Sequence, residues 1–439
     1  MKNETVNFRI EGGRLLKGSV TMNTAKNSAV GLLCASLLNK GTTTLKNMPK
    51  IEEVFRLIEV LKSIHVLVKW QGSDLVIKRP EVFSLQTLDR TAAIRTRSIL
   101  MFIGPLIHFF KDFYLPQAGG CKLGSRTVRP HFFALEKFGV KVVVAKDRFK
   151  ITASKKLKPA DIVLYEAGDT VTENALMAAA LVEGETNIRF ASANYQVQDV
   201  AFFLEKLGVR VDGIGTTKMT VHGASEIEKD VEYYVSEDPT EAMFFLSAAI
   251  VTKSSIELKR VPIDFLELEL FKLEKMGFKY KILRRYKGRN GEVNLVDLKT
   301  MPSTLKALEE KIAPQPYPGL NIDHLPFFAV IATQAKGQTL IHDWVYEKRA
   351  IYYTELDKLG ADTILADPHR VYINGPTELL AKEVICPPAL RPATILLIAM
   401  LGAKGTSVLR DVYSINRGYE DLATRLNKLG AKIKIVNSS

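Results

Sequence analysis

The chain has 439 residues, is 46% apolar and holds no apolar run of the roughly 20 residues a membrane-spanning helix needs, so it reads as a globular chain of two or three domains. Its 61 Lys and Arg against 48 Asp and Glu give a formal charge of +13, which points to anionic partners without choosing between nucleic acid, phosphorylated metabolites and plain solubility. Cys34, Cys121 and Cys386 are too scattered for a disulfide framework or a paired metal site, and Met1 to Val6 lacks a secretory layout, so free thiols and a cytoplasmic setting are expected.

Along the chain, a first strand leads to Lys26 and Asn27. Next comes Gly41-Thr42-Thr43-Thr44-Leu45, a glycine followed by a Thr-rich strand, and the phrase returns at Gly184, Gly337 and Gly405. The following helix is expected to close on Leu61-Lys62-Ser63-Ile64-His65-Val66. Nearly the same letters recur at Leu135 to Val140, Leu204 to Val209, Leu273 to Phe278, Leu356 to Ala361 and Leu426 to Ala431. The starts lie 74, 69, 69, 83 and 70 residues apart, the mark of six copies of one unit.

Upstream of each glycine the apolar residues keep helical spacing, as in Val197, Val200, Leu204 and Leu207, and the glycine suits a left-handed helix terminus. Strands are expected after these helices, at Val140 to Val144, Val209 to Val211 and Ala431 to Val436. His65 fills the glycine's slot in the first copy, so that helix should end differently or the repeat has decayed there. One such unit buries only one face of its sheet. Several should therefore pack around a shared helical interior, giving α/β lobes of about three units with sites in the cleft between them.

Pro116 to His131 is a glycine-rich basic loop carrying Cys121. Its glycines would let backbone approach an anion, and Lys122, Arg126 and Arg129 would lower the thiol pKa; a solvated basic turn is the plain alternative. Three further cationic points are Lys26-Asn27, Leu390-Arg391-Pro392 at the start of an apolar helix, and Asn416-Arg417-Gly418-Tyr419-Glu420. If they converge, they make a pocket for carboxylate or phosphate, which guanidinium groups pair in bidentate fashion. The sequence carries no metal cluster, Walker loop or nucleotide-cofactor fingerprint, so no cofactor is expected.

Phe8 to Asn27, Leu115 to Gly139, Gly337 to Gly360 and Leu390 to Gly430 resemble, in order and spacing, the UDP-N-acetylglucosamine enolpyruvyl transferases of peptidoglycan synthesis. The resemblance implies a two-lobed inside-out α/β barrel of six βαβαββ-like units, three per lobe, with residues 26–235 inserted between 1–25 and 236–439. It implies small-molecule substrates, phosphoenolpyruvate and UDP-N-acetylglucosamine, with no nucleic acid or membrane partner. On the same ground Cys121 is the acid that protonates the enol, with Lys26, Arg391 and Arg417 also catalytic. Lys26, Asn27, Arg126, Arg391 and Arg417 would hold phosphoenolpyruvate. Arg97, Arg126, Thr127, Val128, Arg129, Gly168, Val345 and Arg349 would hold the sugar nucleotide. Asp238 and Glu241 fall on acidic positions where the lobes join, and hinge salt bridges are the favoured reading for them.

The chain also departs from that pattern. Leu320 takes the slot of the presumed base and Ala389 that of a second aspartate, which leaves Asp323, or His324 beside it, as the nearest substitute base. Two alternatives follow: a paralogue that binds a sugar nucleotide without turnover, or a transferase using another hydroxyl acceptor such as shikimate 3-phosphate. RNA 3-phosphate cyclases are built from similar units, but their nucleophilic histidine lies late in the chain, and the last histidine here, His369, sits in no matching motif.

Overall fold

The computed structural model describes residues 5–117 and 127–438. Apolar helices lie inside and small mixed sheets outside. The helices Pro239–Val251 and Leu325–Ala332 are buried at every residue, as is Leu390–Gly402 from Arg391 to Leu401. Lys26–Ala35, Asp169–Ala179 and the helical run Arg97–Leu106 play that part in the other lobe. A helix apolar on all sides has no face to offer water, so each trio is wrapped by its sheets. One hydrophobic core draws on residues from Ala29 to Val235, the other on Phe8 to Met22 and Ala242 to Ile433.

The unit is clearest at Asp161–Val163, Gly184–Arg189, Arg210–Asp212 and Lys218–Gly223. Its first two strands are parallel, joined through the buried helix Asp169–Ala179; the second pairs antiparallel with the fourth, and the fourth with the third. The half-buried helix Tyr195–Lys206 connects strands two and three, which completes βαβαββ. Leu305–Lys306, Ala335–His342, Asp362–Asp367 and Arg370–Gly375 repeat the order.

Other units are assembled from distant pieces. Val231–Tyr234 lies beside Thr42–Lys46, Lys17–Thr21 beside Ser255–Pro262, and Thr5–Gly12 between Gly405–Arg410 and Ile433–Ser438. The chain thus begins in one lobe, enters the other near Ala25 and returns near Ser236. The two crossing segments hold each other: Ala25 N–H donates to Ser236 C=O at 2.7 Å and Asp238 N–H to Asn23 C=O at 2.8 Å.

The repeated helix ends are left-handed, with φ of 89° at Gly139, 93° at Gly208, 98° at Gly277, 85° at Gly360 and 94° at Gly430. His65 corrects the expectation of a different terminus, because it adopts φ 69°. Val66 N–H then reaches Leu61 C=O at 3.0 Å, just as Val209 N–H reaches Leu204 C=O at 2.9 Å. The closing bonds and the strand that follows impose the conformation on a residue with a Cβ, at a cost of about 1 kcal/mol. Among the described residues no helix is long and apolar enough to cross a membrane.

Candidate functional site

Buried helices from both lobes begin at one place. Lys26 is the first residue of Lys26–Ala35, Arg391 the second of Leu390–Gly402, Asp238 caps Pro239–Val251 through Thr240 N–H at 2.7 Å, and Asp323 lies just before Leu325–Ala332. First-turn N–H groups have no partner within their helix, so each start carries partial positive charge. The Lys26 ammonium is within electrostatic range of Glu53, Arg391, Asp323 and Arg417. Glu53 belongs to the same lobe as Lys26, whereas Asp323, Arg391 and Arg417 come from the other.

Each arginine here already has an acid. Arg391 Nη2 donates to Asp323 Oδ2 at 3.1 Å and Nη1 to the Tyr419 hydroxyl at 3.0 Å. Arg417 Nη2 donates to Glu53 Oε2 at 3.3 Å, across the gap between lobes, while Thr96 Oγ1 donates to the other Glu53 oxygen. Lys26, half-buried, makes no hydrogen bond through its ammonium among the described residues.

The acid and base strengths follow from this crowding. Burial lowers the Lys26 pKa; Glu53 and Asp323 oppose that fall, and Arg391 and Arg417 reinforce it. Burial would raise Glu53, but Lys26, Thr96 and Arg417 outweigh it and the carboxyl ends below its ordinary value. Burial would likewise raise Asp323, yet Arg391, Arg349 and Lys26 hold it well below the usual carboxylate range. Asp323 is a carboxylate while Arg391 faces it, and its proton affinity rises if that guanidinium turns to another anion.

Aromatic side chains close the junction. Asn27 Nδ2 donates to the Tyr195 hydroxyl at 3.1 Å, and the Tyr195 ring meets Phe265 of the other lobe at 5.8 Å, which in turn meets Tyr317 at 5.2 Å. Lys50 N–H donates to Glu420 Oε2 at 2.9 Å on the far side.

Of the residues singled out from sequence, Lys26, Asn27, Asp323, Arg391 and Arg417 come together here, and Cys121 and Arg126 lie outside the described residues. Arg97 Nη2 donates to Thr127 C=O at 3.3 Å; Val128 then caps, and Arg129 opens, the helix Arg129–Glu136. Gly168 caps Asp169–Ala179, another helix start. Val345 is exposed. Arg349, 1% exposed, is caged: it pairs with buried Asp343, donates to Ile322 C=O at 2.8 Å and lies 4.2 Å from the Tyr346 ring centroid. Leu320 and Ala389 are both buried. Asp238 and Glu241 act on the crossing: Glu241 accepts from Asn23 N–H at 2.6 Å and from Arg425 Nη2 at 2.9 Å.

Glu53, Thr96, Tyr195 and Asp343 escaped the sequence reading. Glu53 looks like an ordinary first-turn acid of Glu52–Ser63, and only its apolar neighbours Val54 and Leu57 hint that it is buried. Together the site offers a cation that makes no hydrogen bond among the described residues, two guanidinium groups paired with carboxylates, and helix starts from two lobes, an arrangement suited to a small polyanion. Among the described residues no group of three or more His, Cys, Asp and Glu could hold a metal ion.

Residues 10–435 match the profile of the family described as EPSP synthase (3-phosphoshikimate 1-carboxyvinyltransferase). The UDP-N-acetylglucosamine 1-carboxyvinyltransferase of Bradyrhizobium diazoefficiens is 34% identical over 439 residues, with 98% of each chain covered. That of Bacteroides thetaiotaomicron is 32% identical, with 97% of this chain and 99% of that protein covered. The enolpyruvyl transferase NikO from Streptomyces tendae superposes with a TM-score of 0.82 at 22% identity, covering 99% of this chain and 100% of that one. An EPSP synthase from Acinetobacter baumannii gives 0.76 at 19%, covering 98% and 100%. At those identities the two solved structures speak to fold alone.

Proposed function

We propose, since the chain belongs to the EPSP synthase family of enolpyruvyl transferases, that it joins the enolpyruvyl group of phosphoenolpyruvate to the 3-hydroxyl of UDP-N-acetylglucosamine and releases phosphate. The acceptor is that of the relatives aligned over nearly the whole chain. The observation that carries the reading is the convergence of Lys26, Arg391 and Arg417 from two lobes on one spot.

In this account Lys26 and the two arginines take the phosphate and carboxylate as Arg417 leaves Glu53 and Arg391 leaves Asp323. Freed from its guanidinium, Asp323 gains proton affinity and accepts the proton of the attacking hydroxyl. Carbon 3 of the enol takes a proton, and Cys121 is the acid that the resemblance implies. The hydroxyl oxygen bonds to carbon 2; carbon 3 then gives up a proton and the carbon–phosphate oxygen bond breaks. Closure of the lobes excludes water from the adduct. Such an enzyme serves cell-wall synthesis as a soluble cytoplasmic protein.

The test is steady-state phosphate release with phosphoenolpyruvate and UDP-N-acetylglucosamine, beside a Cys121→Ala control. Release that requires the sugar nucleotide and falls in the control supports the proposal. Absence of release above that control rejects it. Burial of Leu320 and Ala389, where relatives' acids were expected, favours a second reading in which another hydroxyl compound is the acceptor. Turnover with shikimate 3-phosphate in place of the sugar nucleotide selects it.

A further inference from the structure

Far from the cleft, the lobe whose core runs from Ala29 to Val235 contains a cavity of about 280 Å³ with an arginine in its wall. Arg79 is only 4% exposed, and no carboxylate among the described residues pairs with it. Its Nη1 donates to the neighbouring Pro80 C=O at 3.1 Å, while Nε is buried with no hydrogen-bond partner. The guanidinium carbon lies 4.5 Å from the Phe109 ring centroid and 5.8 Å from that of Phe83. Aromatic faces attract a cation but do not satisfy its N–H donors, so the group is left short of an acceptor. Burial lowers its pKa, as expected for a charge that lacks a counterion.

The rest of the lining says what could supply that acceptor. Leu38, Phe109, Leu181 and Ile227 form apolar walls, and His108 gives its ring to the Met177 carbonyl at 3.3 Å. Burial depresses that imidazole to about 4, so it adds no second positive charge near neutrality. At the rim Lys40 and Glu226 are exposed and paired with one another. One buried cation, apolar walls and a rim whose Lys40–Glu226 pair is electrically balanced offer a single positive charge, which suits a single-charged anion with an apolar body better than a phosphate dianion.

We propose that this cavity is a second ligand site that binds a small organic monocarboxylate, its carboxylate on Arg79 and its apolar body against Phe109, Leu38 and Leu181. It is separate from the cleft. The helix Lys26–Ala35 runs 10 residues, about 15 Å, away from Lys26 before the turn Ser36–Leu38 reaches the cavity wall. The helix Asp169–Ala179 likewise starts at Gly168 and ends just before Leu181.

The test uses benzoate as the probe, with inorganic phosphate in a parallel arm, at constant ionic strength. The melting temperature of the full chain is expected to rise saturably with benzoate. In Arg79→Met, which keeps the apolar stem, affinity should fall roughly tenfold or more, the worth of a charge-assisted hydrogen bond. Lys26→Ala should keep the benzoate response. Crystals of the unaltered protein soaked in para-bromobenzoate should show the bromine among the apolar walls, a readout that does not depend on the variant folding. The proposal is overturned if the response is not saturable, if Arg79→Met retains it, if Lys26→Ala abolishes it, if phosphate binds more tightly than benzoate, or if the bromine lies elsewhere.

Discussion

Glu53 of one lobe accepts from Arg417 of the other at 3.3 Å, and the same carboxylate is the largest electrostatic influence keeping Lys26 charged. One acid therefore latches the lobes and sets the protonation of the cation beneath them. Because burial already lowers the Lys26 pKa, its charge is present at low pH and lost as pH rises through that lowered value. Glu53→Gln removes the support and lowers the value further. The alkaline limb of the kcat/KM profile should move to lower pH in Glu53→Gln; an unmoved limb would separate Lys26 from catalysis.

Arg391 and Asp323 should behave as one unit. Arg391→Lys keeps the charge but loses the planar fork that reaches both Asp323 and Tyr419, and kcat should drop about a hundredfold. Asp323→Asn should cost about a hundredfold or more as the proton acceptor is lost. The double variant should be little worse than the weaker single, since residues that act together are not additive. Multiplicative losses in steady-state assays would contradict this.

The loop presenting Asp323 rests on a buried pair. His324 Nδ1–H donates to Glu269 Oε1 at 2.6 Å, with exposures of 0% and 3%, and the same oxygen accepts from Asn321 N–H at 3.1 Å. Removing one partner strands the other, so His324→Leu should cost about 3 kcal/mol in urea unfolding. Replacing both by leucine should cost less than that. A double cost equal to the sum of the two single costs would show that the pair is not coupled.

What could be read from the sequence was whatever the chain writes locally. Helix ends at Gly208 or Gly430 need only their own few residues, so the repeat and hence the six units were visible. Lys26, Arg391 and Arg417 stood out in the sequence as cationic points, and the roles expected of them came from the family resemblance. Glu53 did not stand out, because its partner lies 364 residues away and nothing in Glu52–Ser63 announces it. Asp343 was missed for a similar reason: it gains meaning only once Arg349 and Tyr353 fold over it. The misjudged helix end at His65 shows the reverse case, where tertiary packing overrides a local preference.

That helix end yields a stability prediction. His65 holds φ 69° with a side chain that the left-handed region penalises, and among the described residues its ring makes a single long contact of 3.4 Å, to the Thr87 hydroxyl. His65→Gly should stabilise the protein by about 1 kcal/mol. Chemical denaturation checks it, and a loss of stability would mean that the ring contact matters more than the backbone.

The most direct test of the central claim is a crystal structure with UDP-N-acetylglucosamine and a non-reacting fluorinated analogue of phosphoenolpyruvate. The analogue's phosphate should lie within about 3 Å of Lys26 Nζ, with Arg417 released from Glu53 and Arg391 turned from Asp323 to the ligand. An analogue bound away from Lys26, or seated there with both ion pairs unbroken, would contradict that claim.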